Sequence, residues 1–134
     1  MGIVGLAALL LYLNVTRTSK EVDMTAVDLT VTDEVIGEGD PVKVGNKIMV
    51  SFVGTLTNGK IFDTSENYGG SGFVFILGKK QVIKGWEEGV LGMRLGGKRR
   101  LIVPPDLAYG YHSLGDAVPA KSTLAFEIEL LKVF

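Results

Sequence analysis

Val82-Ile83-Lys84-Gly85-Trp86-Glu87-Glu88-Gly89-Val90 is the stretch whose reading decides the fold. Wound as a helix, it sets Val82, Trp86 and Val90 one turn apart on a single face, with Ile83 at the margin. Lys84, Glu87 and Glu88 fall opposite and are expected to face water. Gly85 and Gly89 lie inside the apolar face, where another backbone could approach closely. Alone, this is poor helix chemistry: the segment is short, and each glycine costs about 1 kcal/mol relative to alanine. It persists only if something wraps it, and the rest of the chain offers strands. The only tryptophan is therefore expected on a small helix held against a sheet.

The strand signals lie on both sides of that helix. Upstream, Val27, Leu29 and Val31 alternate with Asp28, Thr30 and Thr32, the period of a half-buried strand. Ile48, Val50, Phe52 and Leu56 share one face of the next strand, and Asn58-Gly59 signals a tight two-residue hairpin in which both residues tolerate positive φ. A return strand starts at residues 60–63, residues 64–72 read as a loop, and residues 73–77 (Phe-Val-Phe-Ile-Leu) form another strand. Downstream, residues 98–103 read as a strand whose Lys98-Arg99-Arg100 start suits a solvated edge. Pro104-Pro105 stops its pairing. A long loop over residues 106–121 leads to a last strand, with Leu124, Phe126, Ile128 and Leu130 inward and Glu127 and Glu129 outward. This predicts an α+β fold, an antiparallel sheet of about five strands curled over one short helix.

Composition narrows the function. At 134 residues there is room for one core, and 46% hydrophobic with 22% charged residues is ordinary for a globular domain. A formal net charge of −1, with no basic stripe, argues against nucleic acid. There is no cysteine and only one histidine, so neither a thiolate nor a metal cluster is expected. Residues 2–13 form a nearly unbroken apolar run, shorter than the ~20 residues of a membrane span. No cation precedes it. It reads as a signal or thylakoid-transfer segment, part of a membrane anchor, or an apolar helix docked on a partner. This favours a membrane surface or an organelle lumen, thylakoid or secretory, over the cytoplasm. The expected organisation is a targeting or membrane-associating segment over residues 1–15, a linker over 16–24 and a domain over 25–134.

At residues 82–89 the sequence resembles the tacrolimus-binding (FKBP-type) peptidyl-prolyl cis-trans isomerases. Val53-Gly54-Thr55-Leu56-Thr57-Asn58-Gly59-Lys60-Ile61-Phe62-Asp63-Thr64-Ser65 is similar to the family's hairpin and Phe-Asp-Ser-Ser run. Pro105-Asp106-Leu107-Ala108-Tyr109-Gly110 and Leu124-Ala125-Phe126-Glu127-Ile128-Glu129-Leu130-Leu131 resemble its later motifs, in order. The resemblance covers roughly residues 30–134. It implies a half-barrel fold and a prolyl pocket with Trp86 as floor. Phe62, Phe73, Phe126, Val82 and Ile83 would be walls, and the Ile83 N–H would bond a substrate carbonyl. Asp63 would be the polar group at the edge, Tyr109 the hydroxyl donor, and Val118 the far side.

Several positions depart from the family pattern. Phe52 stands where many members have tyrosine, which removes a hydroxyl partner for Asp63. Gln81 replaces a common glutamate, Leu114 a frequent histidine and Ala117 a frequent isoleucine. The loop after Asp63 is one residue longer than in the shortest members. The activity implied is proline isomerisation in polypeptide substrates, with macrolides as inhibitors and no cofactor. The competing reading is a catalytically idle scaffold, fixed in a membrane complex by residues 2–13. Taken without the resemblance, Trp86 and the phenylalanines are core, Asp63 a turn carboxylate, Tyr109 a loop anchor and His112 a solvated loop residue.

Overall fold

The computed structural model describes residues 28–113, 115 and 117–134. The expected segments over 1–15 and 16–24, and the site position Leu114, lie outside them. Among the described residues no helix is long and apolar enough to cross a membrane.

Among the described residues six strands and one short α-helix follow in order: β1 (Thr30–Val35), β2 (Lys47–Thr55), β3 (Ile61–Thr64), β4 (Phe73–Ile76), α1 (Lys84–Gly89), β5 (Lys98–Val103) and β6 (Leu124–Val133). All pairings are antiparallel. The sheet runs β1-β5-β6-β2-β3, and β4, off this path, pairs with the Lys47–Val50 end of β2. The strands at its centre bury one face each, as their alternation predicts. Ile48, Val50, Phe52 and Leu56 of the β2 segment meet Leu124, Phe126, Ile128 and Leu130 of β6, all in the core. Val50 pairs with Leu130 and Phe52 with Ile128.

The helix lies on this face by way of its glycines. A Cβ on Gly85 would stand 2.4 Å from Val103 Cγ1, and one on Gly89 2.7 Å from Leu101 Cδ1. Only hydrogen fits there, so the helix axis comes close enough to β5 to bury Trp86 and Val90. Burial of that face replaces the stability that six residues of glycine-containing helix lack.

Local structure corrects four expectations. First, Glu87 does not face water: its Oε2 accepts the Gly78 N–H at 2.6 Å, and Oε1 is buried without a partner. Lys84 and Glu88 are exposed. Second, the hairpin after β2 is a three-residue loop over residues 57–59. Leu56 N–H bonds Lys60 O and Gly59 N–H bonds Leu56 O. Only Gly59 takes positive φ (84°), a turn followed by a left-handed glycine, so Asn58 need not adopt one.

Third, the expected loop after β3 contains a 3-10 turn, Ser65–Tyr68. Fourth, Lys98-Arg99-Arg100 opens an internal strand, because β1 covers its flank. β1 is exposed along its whole length, and Val31 is not half-buried, whereas Leu29 packs on the core. What β1 brings is charge. Arg99 Nε meets Asp33 Oδ1 at 2.7 Å, while its Nη1 donates to Gly89 O and Leu91 O behind the helix. Arg100 meets Glu34 at 2.9 Å and Glu127 at 3.5 Å. These cations tie β1, α1 and β6 together.

Candidate active site

The aromatic residues of the core converge above α1. Around the Trp86 indole, Phe52, Phe126 and Phe73 stand edge-on, with ring centroids at 4.9, 5.3 and 6.0 Å and interplanar angles of 85°, 84° and 81°. Phe75 lies at 5.6 Å from the indole, tilted by 50°. For Phe52, Phe126 and Phe73 this edge-to-face packing sets a positive ring edge against a negative ring face. Above them lies a hollow of about 140 Å³. It is bordered by Phe52, Phe62, Asp63, Tyr68, Phe73, Gln81, Val82, Ile83, Trp86, Tyr109 and Phe126. A wider trough of about 510 Å³ opens elsewhere, among Glu34, Ser51, Val53, Ile61, Lys98, Glu127 and Glu129. It is larger, but Phe52 is the only ring on its border, so size does not mark the site.

Phe62 and Asp63 both reach the hollow although they are sequence neighbours, which in a regular strand would point to opposite faces. The register explains it. Gly54 pairs with Asp63 and Thr55 with Ile61, leaving Phe62 as the extra residue of a bulge. Freed from the ladder, the Phe62 ring lies over Gly54: a Cβ there would be 2.8 Å from Phe62 Cζ and 2.9 Å from Phe126 Cε1. Phe62 then meets Phe126 edge-on at 5.7 Å.

The polar groups sit on the rim. Asp63 Oδ1 accepts from the Thr64 N–H and from Asn67 Nδ2, both at 2.9 Å, and Oδ2 accepts from the Tyr68 hydroxyl at 2.8 Å. Burial, and then the Asp63 charge, push the Tyr109 phenol up from its ordinary value, so it stays protonated and able to donate at neutral pH. Ile83 precedes α1 in an extended conformation (ψ 157°). Its carbonyl takes the N–H groups of Trp86 and Glu87, and its own N–H has no partner among the described residues. Gln81 folds its side chain back, Oε1 accepting the Ile76 N–H at 2.9 Å. The Trp86 Nε1 is buried and unpaired, a cost of about 1–3 kcal/mol.

Of the expected site residues, Trp86, Phe62, Asp63, Tyr109, Phe52, Phe73, Gln81, Val82, Ile83 and Phe126 border one hollow. Val118 does not. It is 2% exposed and packed within the core. His112 is exposed, away from the hollow. Tyr68 was not anticipated; its one sequence signal is an aromatic residue five positions after Asp63, inside an otherwise small and polar loop.

Residues 39–131 match the FKBP-type peptidyl-prolyl cis-trans isomerase family model, and the chain belongs to that family. It is similar to "FK506-binding protein 4" of Mycosarcoma maydis (48% identical over 105 residues, 78% of this chain and 27% of the relative). The protein of that name from Chaetomium thermophilum is 46% identical over 105 residues, 78% of this chain and 21% of the relative. The chain thus spans about a quarter of the length of these curated relatives. Among solved structures, AtFKBP13 superposes with a TM-score of 0.71 at 39% identity, covering 78% of this chain and 91% of that one. A peptidyl-prolyl cis-trans isomerase from Pseudomonas syringae pv. tomato gives 0.69 at 36% identity, covering 78% and 74%.

Proposed function

We propose that this protein catalyses cis–trans isomerisation of Xaa–Pro bonds in polypeptides. The observation that carries the reading is the ring-walled hollow above Trp86, with Asp63, Tyr68 and Tyr109 on its border. Rotation about a peptide bond is opposed by about 18–20 kcal/mol of amide resonance. The two prolyl isomers lie within about 0.5–1 kcal/mol, so the obstacle is kinetic. Halfway through the turn the amide loses resonance, and its carbonyl becomes ketone-like and less polarised. A hollow that excludes water tolerates that state better than the planar, polarised amide, and this difference accelerates the step.

The chain's own groups divide the work. Trp86 supports the prolyl ring, while Phe62, Phe73 and Phe126 keep water out. The Ile83 N–H and the Tyr109 hydroxyl hold flanking carbonyls. Asp63 orients as an acceptor; no proton transfer is needed, because no bond is broken. The names of the relatives support macrolides as competing ligands of the same hollow.

The test is relaxation of a chromogenic Xaa–Pro tetrapeptide from cis to trans. Uncatalysed, this takes about 10–100 s at 25 °C. The 134-residue chain at micromolar concentration is expected to shorten it in proportion to its concentration; an unchanged relaxation rate would remove the proposal. We also infer membrane contact through residues 2–13, on the strength of their apolar run. The 134-residue chain is then expected to float with liposomes, and a chain lacking residues 1–24 to stay in the dense fraction. Equal behaviour of the two would exclude it.

A further inference from the structure

The three hydrogen bonds to Asp63 divide unequally between its oxygens. Oδ1 takes two donors from the turn that follows, the Thr64 N–H and Asn67 Nδ2. Oδ2 takes the Tyr68 hydroxyl, at 2.8 Å. Two donors on one oxygen locate that oxygen; the carboxylate plane is set only when the second is held too. Tyr68 is well placed to hold it. It closes the 3-10 turn Ser65–Tyr68, its ring stands edge-on to Phe73 at 4.8 Å and lies 6.1 Å from Phe52, and it borders the hollow. Position 52 is phenylalanine, so β2 offers Asp63 no hydroxyl, and the loop supplies one instead. The bond to Asp63, followed by burial, pushes the Tyr68 phenol up, so it remains a donor at neutral pH.

We propose that Tyr68 is the positioning residue of this site: its hydroxyl fixes the Asp63 carboxylate at the rim of the prolyl hollow while its ring closes the wall beside Phe73. The assignment rests on the isomerase reading and adds to it a unit of two residues, one from a β3 bulge and one from the loop after it. The hydroxyl acts through the carboxylate, so the two effects on turnover cannot be independent.

The test is a double-mutant cycle on the full chain, with kcat and KM read on the same chromogenic tetrapeptide. Tyr68→Phe keeps the ring and removes only the hydroxyl. It is expected to lower kcat about tenfold, equivalent to about 1.4 kcal/mol of transition-state stabilisation, with KM changed less than about twofold. The thermal midpoint is expected to stay within about 2 °C. In an Asp63→Leu background, or Asp63→Ala should the leucine variant not fold, the same change is expected to alter kcat less than about twofold. Two results overturn the proposal: an unchanged kcat in Tyr68→Phe, or an equal loss in both backgrounds. Wild-type protein without turnover overturns the isomerase reading and this one together. Wild-type turnover that Tyr68→Phe leaves untouched overturns this one alone.

Discussion

Phe62→Ala is expected to lower turnover of an Xaa–Pro peptide roughly a hundredfold, the scale of loss that follows when a reacting group is no longer held in place. Phe62 stands on the bulge of a four-residue strand, half-buried, leaning over Gly54 onto Phe126. Its removal opens the side of the hollow to solvent and leaves the Phe126 edge without its partner at 5.7 Å. Water then reaches the amide and stabilises the planar, polar ground state more than the twisted form. The fold is expected to survive, because the truncated site opens outward instead of leaving a sealed cavity. A loss of about 1–3 kcal/mol in urea unfolding is expected from the apolar area given up. Measured together, kcat/KM and the urea midpoint separate the two effects. Turnover within about threefold of wild type, on a folded variant, would mean that the wall contributes nothing to the barrier.

The neighbouring Gly54 makes the same point from below. The two rings occupy the space of its missing side chain, so the wall of the hollow is specified partly by a residue that never borders it. Bulge and glycine together turn two consecutive residues, one apolar and one charged, toward a single cavity. This is why a ring and a carboxylate can meet at the rim without either being buried in the sheet.

Much of this was legible in the chain. Strand periodicity placed Ile48, Val50, Phe52, Phe126 and Ile128 on inner faces, because a period of two leaves little freedom once one face is dry. Gly85 and Gly89 announced a close approach, and Val103 and Leu101 fill it. The resemblance to a known family named most of the residues that border the hollow. Three features stayed hidden for physical reasons. The Lys98-Arg99-Arg100 run reads as a free edge only while strand order is unknown; the sheet places β1 alongside and pairs Arg99 with Asp33, 66 residues away. Glu87 sits on the polar side of its helix, yet the turn at Gly78 folds over it. Tyr68 lies in a loop whose conformation no periodicity governs, and only the finished turn brings its hydroxyl to Asp63. Val118 packs in the core and does not border the hollow.

The largest effect expected concerns binding. If the hollow favours a prolyl amide that has lost resonance, an analogue locked in that shape must bind far more tightly than a planar peptide. Such an analogue carries an acyl carbonyl held perpendicular to the plane of the ring nitrogen. It needs no energy to leave planarity, and its less polarised carbonyl suits walls made by Phe62, Phe73 and Phe126 above Trp86. The Tyr109 hydroxyl and the Ile83 N–H can meet the flanking carbonyls of either ligand, so they cancel in the comparison. What remains is the preference of the hollow for the twisted form. Transition-state analogues commonly exceed substrates by a hundredfold or more.

The decisive measurement is therefore a pair of titrations on the 134-residue chain, followed through the fluorescence of Trp86, its only indole. One uses a planar Xaa–Pro peptide and the other its matched perpendicular analogue. The account predicts that the analogue binds at least about a hundredfold more tightly; equal affinity, or a preference for the planar peptide, would contradict it.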